Sequence, residues 1–199
     1  INQLMRKYNF EFYKNEGIKG PGECRNIGLA KSKGKWIIFA DSDDYFLNGF
    51  YEKINKYFAT QNDIVFFSPT SLYMDTGKKA DRHVPIQNII QDYLKYKSKK
   101  SELYLRYNFI AGWSKMIKKE FLSNHNIKFD KTIGSEDVML STKIGYFMHH
   151  FEVSNEVIYC ITVSYGSNSR ILSENLFDLR LNARVARINF LNKNLSKID

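Results

Sequence analysis

The sequence predicts an α/β fold built on a mostly parallel sheet with helices on its faces. Three observations predict it. Short apolar runs alternate with helix-period stretches in the order strand, helix, strand, helix, strand through residues 10–68. Trp36, Ile37, Ile38, Phe39 and Ala40 form an unbroken apolar run bounded by Gly34, as expected of a strand buried on both faces. Asp41, Ser42, Asp43 and Asp44 follow at once, where that strand would leave the core. In open α/β sheets, ligands sit just outside the carboxyl ends of the strands.

Taken in order, residues 1–8 read as the tail of a helix, and Phe10-Glu11-Phe12-Tyr13 as a short alternating strand. Residues 15–22 are a loop holding Gly17, Gly20, Pro21 and Gly22. A helix over 23–33 is closed by Gly34, and the strand 36–40 follows. A helix over 48–59 turns Phe50, Ile54, Tyr57 and Phe58 inward, and residues 63–68 form another apolar strand. Helices are expected over 85–96 and 102–109, then a strand over 111–117 entered through Gly112. A helix over 136–149, a strand over 152–163 and a final helix over 173–192 complete the chain. No internal repeat is visible.

Composition narrows the function. With 199 residues, 43% hydrophobic and 15% aromatic, the chain makes one folded domain and is not disordered. A net charge of +9 favours an anionic partner: a phosphorylated small molecule, a membrane surface or nucleic acid. Its basic residues are scattered, with no run of five, so a nucleic-acid-binding arm is not expected. Cys24 and Cys160 stand alone, which suggests neither a disulfide framework nor a metal knot. No apolar run approaches the ~18 residues of a membrane span. A cytoplasmic setting is expected.

Three stretches can carry chemistry. Three carboxylates in the four residues 41–44 repel one another, and a divalent cation is the usual relief. A helix-capping turn is the plainer reading, but a turn needs one Asp and not three. Gly17, Gly20 and Gly22 lie between a strand and a helix, where backbone N–H groups can face a phosphate. A dinucleotide fingerprint is set aside because the order is G-x-x-G-x-G rather than G-x-G-x-x-G. Glu136-Asp137 opens a helix, where acids also simply oppose the dipole. Trp113 after Gly112 is either core or a stacking platform for a sugar ring.

Together these pieces resemble a family. The run Gly20-Pro21-Gly22-Glu23-Cys24-Arg25-Asn26-Ile27-Gly28-Leu29, followed by Gly34-Lys35-Trp36-Ile37-Ile38-Phe39-Ala40-Asp41-Ser42-Asp43-Asp44, resembles the bacterial family 2 glycosyltransferases. Gly112-Trp113-Ser114-Lys115 is similar to that family's G-W-x-K stretch, and Phe129-Asp130 with Ser135-Glu136-Asp137 to its F-D and E-D motifs. The resemblance implies a GT-A fold and inverting transfer of a hexosyl or N-acetylhexosaminyl group. The donor would be a nucleotide sugar, most simply a UDP-sugar, and the acceptor a glycan or lipid-linked glycan of polysaccharide and cell-envelope biosynthesis. It implies Asp41 and Asp43 as holders of Mg²⁺ or Mn²⁺, and Asp137 as the catalytic base. Gly20, Gly22, Arg25, Asn26, Asp41 and Ser42 would border the donor, and Trp113 and Glu136 the acceptor.

The family opens with a strand–helix–strand segment that these 199 residues do not show, so an N-terminally truncated GT-A domain over 1–170 is expected. The helix over 171–199 carries Leu172, Leu176, Leu179, Ala183, Ala186 and Phe190 as one stripe, flanked by Arg180, Arg184 and Arg187. It packs on the domain or lies on the inner face of the cell membrane. Two other classes stay open: a metal-dependent nuclease or phosphotransferase, and a non-catalytic module that binds a nucleotide sugar.

Overall fold

The computed structural model describes residues 5, 7–164 and 173–195. Most of the expected helix over 1–8, and Leu172, lie outside them. Helices α1 (Pro21–Lys31), α2 (Phe50–Asn55), α3 (Val84–Tyr96), α4 (Lys99–Asn108), α5 (Lys119–Asn124), α6 (Asp137–Phe147) and α7 (Glu174–Asn194) are interleaved with five strands. These are β1 (Trp36–Ile37), β2 (Tyr45–Phe46), β3 (Ile64–Tyr73), β4 (Lys115–Lys118) and β5 (Phe151–Val163).

The strands form one sheet in the order β1-β4-β3-β5-β2. β3 and β5 run parallel, while β1–β4, β4–β3 and β2–β5 are antiparallel. The α/β class stands, but the described sheet is mixed rather than mostly parallel. An apolar run reports burial on both faces and says nothing about direction. Burial on both faces is what the sheet shows. Ile37, Phe39, Ile64, Phe66 and Ile117 face a core shared with α3, α4 and α6. Trp36, Ile38, Val65, Phe67 and Met116 face a second core closed by Ile54 and Tyr57.

Three expected strands differ. The strand over 36–40 pairs only at Trp36–Ile37, with Phe39 in an isolated bridge to Trp113. Residues 10–13 form no strand: Phe10, Phe12 and Tyr13 are exposed, and no described strand pairs with them. Alternation alone cannot make a strand without a partner and a face to bury. The strand over 111–117 begins only at Lys115, because Ser114 holds a left-handed φ of 58° that breaks the extended run.

The β3–β5 ladder slips its register between Phe67, Ser68 and Pro69, with the extra residues on β5. Pro69 lacks an N–H, and a bulge is where a central strand tolerates that. Beyond the bulge the ladder carries Tyr159 and Thr162 to the acidic turn.

Helix α7 packs through the expected stripe. Leu176 meets Gly134, and the Phe190 ring stands edge-on to Tyr146 at 5.4 Å. Ala186 is exposed, and Arg187 is half-buried and donates to the Tyr107 carbonyl. The outer side carries a second apolar stripe, in which Phe177 is 64% and Ile188 55% exposed, with Leu181 and Val185 between them. Among the described residues, no helix is long and apolar enough to cross a membrane.

Candidate active site

The site is assembled by the close approach of α1 to the loop that precedes α6. A Cβ on Gly22 would lie 2.0 Å from the Asp130 carbonyl oxygen, and one on Gly20 2.6 Å from that of Thr132. Gly20 also holds φ 146°, and Pro21 follows at the helix start, where its missing N–H costs nothing. Asn26 clips the same loop: its Nδ2 donates to the Phe129 carbonyl and its Oδ1 accepts from the Phe129 N–H, both at 3.0 Å. Gly20, Gly22 and Asn26 therefore set where α1 sits against that loop.

That placement aims Arg25. One guanidinium nitrogen donates to Glu136 at 2.6 Å and another to Asp41 at 2.5 Å. Its planar fork suits two carboxylates at once. Burial opposes the Arg25 charge, but the bonds and attraction of Asp41 and Glu136 outweigh it and hold its pKa above the ordinary value. The Phe129 ring lies beneath the guanidinium at 5.2 Å.

The acidic turn is stapled to β5. The Tyr159 hydroxyl donates to Asp44 and accepts from the Asp41 N–H, both at 2.8 Å. The Thr162 N–H donates to the other Asp44 oxygen at 2.8 Å, and the Thr162 hydroxyl to the Asp43 carbonyl at 2.7 Å. Burial, partly offset by these bonds, raises the Asp44 pKa. Burial foremost pushes the Tyr159 hydroxyl far up, so it stays a donor. Ser42 is exposed on the turn.

Carboxylate oxygens of Asp41, Asp43 and Asp44 lie within 4.8 Å of one another. Such hard oxygen donors suit Mg²⁺ or Mn²⁺. Both Asp44 oxygens already accept hydrogen bonds, so Asp43 and the second oxygen of Asp41 are the ones that fit a cation.

Across Arg25 lies the mouth of α6. Ser135 takes a left-handed φ of 59° and turns the chain into the helix. Glu136 is engaged by Arg25, whereas Asp137 faces a cleft of about 360 Å³ lined also by Arg25, Asp41, Arg82, Trp113 and Glu136. Burial first, then repulsion by Glu136, pushes the Asp137 carboxyl up to about 6, against the opposing pull of Lys115 and Arg25. Trp113 stacks on Tyr159 with ring centroids 5.7 Å apart, so it is wedged in the core and lines the cleft at once.

The structure thus gathers Arg25, Asp41, Trp113, Glu136 and Asp137 around one cleft, with Asp43 exposed on the turn beside Asp41. Sequence reasoning missed Tyr159, Thr162 and Arg82. Tyr159 sits in an apolar strand and reads as core, and Arg82 lies in a stretch without a periodic signal.

Residues 1–125 match the model of glycosyl transferase family 2. The chain belongs to that family. A relative, the putative glycosyltransferase EpsH of Bacillus subtilis, is 23% identical over 96% of this chain and 55% of its own length. Over a shorter stretch, 31% of this chain and 24% of the relative, it is 38% identical to WfaP of Escherichia coli. WfaP is named a UDP-Glc:alpha-D-GlcNAc-diphosphoundecaprenol beta-1,3-glucosyltransferase. S. aureus TarS 1–349, solved in complex with UDP-GlcNAc, superposes with a TM-score of 0.70 at 19% identity. The match covers 99% of this chain and 56% of TarS 1–349, and shows a shared GT-A fold. The chain spans about half the length of EpsH and TarS 1–349.

The raised Asp137 carboxyl has a consequence for stability. The native state holds this proton more tightly than the unfolded chain, so Asp137 costs stability increasingly as pH rises from about 4 to about 6. Asp137→Asn is expected to stabilise the fold by about 1–2 kcal/mol near pH 8. That gain disappears near pH 4. Thermal melts at the two pH values test this, and equal or lower melting temperatures for the variant at pH 8 would contradict it.

Proposed function

We propose that this chain is the catalytic domain of an inverting glycosyltransferase that moves a sugar from a UDP-sugar to a hydroxyl of a glycan or lipid-linked glycan. The observation that carries this reading is the pairing, across Arg25, of the Asp41–Asp43 turn with the half-buried Asp137 in one cleft. Inverting transfer is a single displacement, so it needs one base to take the acceptor's proton. Asp137 with a pKa of about 6 is ionised at neutral pH and still basic enough for that task. Glu136 is held in an ion pair by Arg25, which leaves Asp137 as the carboxylate for the acceptor hydroxyl.

A cation held by Asp41 and Asp43 would stabilise the negative charge gathering on the leaving diphosphate. Arg25 keeps that turn in place, and Arg82 from the opposite wall adds positive charge to the same cleft. Trp113 offers its ring edge or face to the acceptor sugar. The UDP-GlcNAc bound by TarS and the UDP-glucose and diphosphoundecaprenol in the WfaP name support a UDP-sugar and an acceptor on a lipid diphosphate. Family membership favours sugar transfer over phosphodiester cleavage.

We also propose a peripheral contact between the outer stripe of α7 and an anionic membrane surface. The net charge of +9 and exposed Arg184 beside Phe177, Leu181, Val185 and Ile188 support it. Phe177→Ser with Ile188→Ser should abolish sedimentation with anionic liposomes at low salt. Equal pelleting of variant and parent would overturn it.

Two substitutions separate the roles in the cleft. Asp43→Asn is expected to weaken Mn²⁺-dependent UDP binding at least about tenfold. Asp137→Asn should leave that binding nearly unchanged and lower transfer by about 10²–10⁴-fold. A parent that binds no UDP with Mn²⁺ present, or an Asp137→Asn variant with parental transfer, would contradict the proposal.

A further inference from the structure

Lys115 begins β4, the second strand from the edge of the sheet, and is 1% exposed. Its ammonium donates to the Phe109 carbonyl at 2.6 Å and to the Ser141 hydroxyl at 3.1 Å, and the Ser141 hydroxyl donates to the Ile110 carbonyl. The Phe109 ring lies 4.5 Å and the Phe66 ring 5.8 Å from the nitrogen. Among the described residues, no carboxylate touches it. A buried ammonium without a carboxylate in contact is costly, and an apolar residue would fill the same space more cheaply.

The neighbour that makes sense of it is one helical turn away. Ser141 follows Asp137 by four residues on α6, so the two share a face, and the ammonium lies beneath the catalytic end of that face. Asp137 is the charged group whose attraction reaches Lys115, and Lys115 is the foremost attraction felt by Asp137. The other charges facing Asp137 are Glu136 on its own helix, Arg25 from α1, and Asp41 and Arg82 across the cleft. Arg25 is already shared between Asp41 and Glu136.

We propose that Lys115 is a positioning residue for transfer: a buried counter-charge beneath Asp137 that keeps this carboxylate ionised and ready for the acceptor's proton. The inference rests on the transferase reading of the cleft. Burial lowers the Lys115 pKa to about 7, against the pull of Asp137. Lys115 therefore matters most in the pH range where Asp137 titrates, and well above it Asp137 stays ionised without help. A residue that only shaped the Phe109–Ile110 turn would act equally at every pH.

The test is Lys115→Met, which keeps nearly the same volume and removes the charge. Its carboxyl carbon-13 titration in Mg²⁺ buffer should show the Asp137 midpoint about one pH unit above that of the parent. The acid limb of kcat/KM should move by the same amount, so transfer falls about tenfold near pH 5.5 and converges with the parent near pH 9. An unmoved midpoint, or an equal loss at every pH, overturns the proposal. If Lys115→Met does not fold, Asp137→Asn decides by reciprocity, because the nitrogen-15 midpoint of the Lys115 ammonium must then fall; an unchanged midpoint overturns the pairing. A parent that transfers no sugar while these midpoints move would sink the transferase reading and leave the charge pair standing.

Discussion

One guanidinium holds this site together. Arg25 joins the turn after β1 to the mouth of α6, and without it Asp41 and Glu136 would be two carboxylates repelling across a partly buried cleft. Much else follows from getting that side chain there. Gly20 and Gly22 have no Cβ because the backbone of the loop 129–135 passes where one would be, and Asn26 locks that loop to α1 through both of its amide atoms. The glycine-rich segment works here by permitting close packing, and the anchoring of Arg25 is the result.

Around this bridge the acids are held in different electrostatic states. Asp44 is consumed by Tyr159 and Thr162, Glu136 and half of Asp41 by Arg25, and Asp43 is left exposed. Burial raises the Asp44 pKa as well, but that of Asp137 is pushed up to about 6, by burial and by its acidic neighbour. Separating carboxylates in this way is what the proposed roles require, cation ligands on one side and a proton acceptor on the other. The cleft also carries strain: Ser114 and Ser135 take left-handed conformations beside Trp113 and Glu136, and among the described residues buried Lys115 has no direct counter-ion. Such features persist when surrounding structure enforces them.

The sequence was most readable where local chemistry repeats. The acid turn and the Glu136-Asp137 helix start are where the residues predict them, because turn and capping preferences are local, whereas the run 36–40 pairs as a strand only at Trp36–Ile37. Strand direction in the mixed sheet was not readable, since apolar runs carry none. Tyr159 looked like any core aromatic; only the bulge at Pro69 brings its hydroxyl under the acid turn. Gly20, Gly22 and Asn26 were expected at the donor, and their packing role depends on a loop more than a hundred residues away in sequence. Lys115 stood inside a quoted motif, yet its meaning required knowing that Ser141 and Asp137 share its side of α6.

The most direct measurement is therefore on the bridge itself. Arg25→Lys keeps the positive charge but cannot fork to two carboxylates. With circular dichroism showing an intact fold, kcat/KM for transfer from a UDP-sugar in Mn²⁺ is expected to fall about 10²-fold. Parental kcat/KM in the lysine variant would contradict the requirement for a guanidinium that holds Asp41 and Glu136 together.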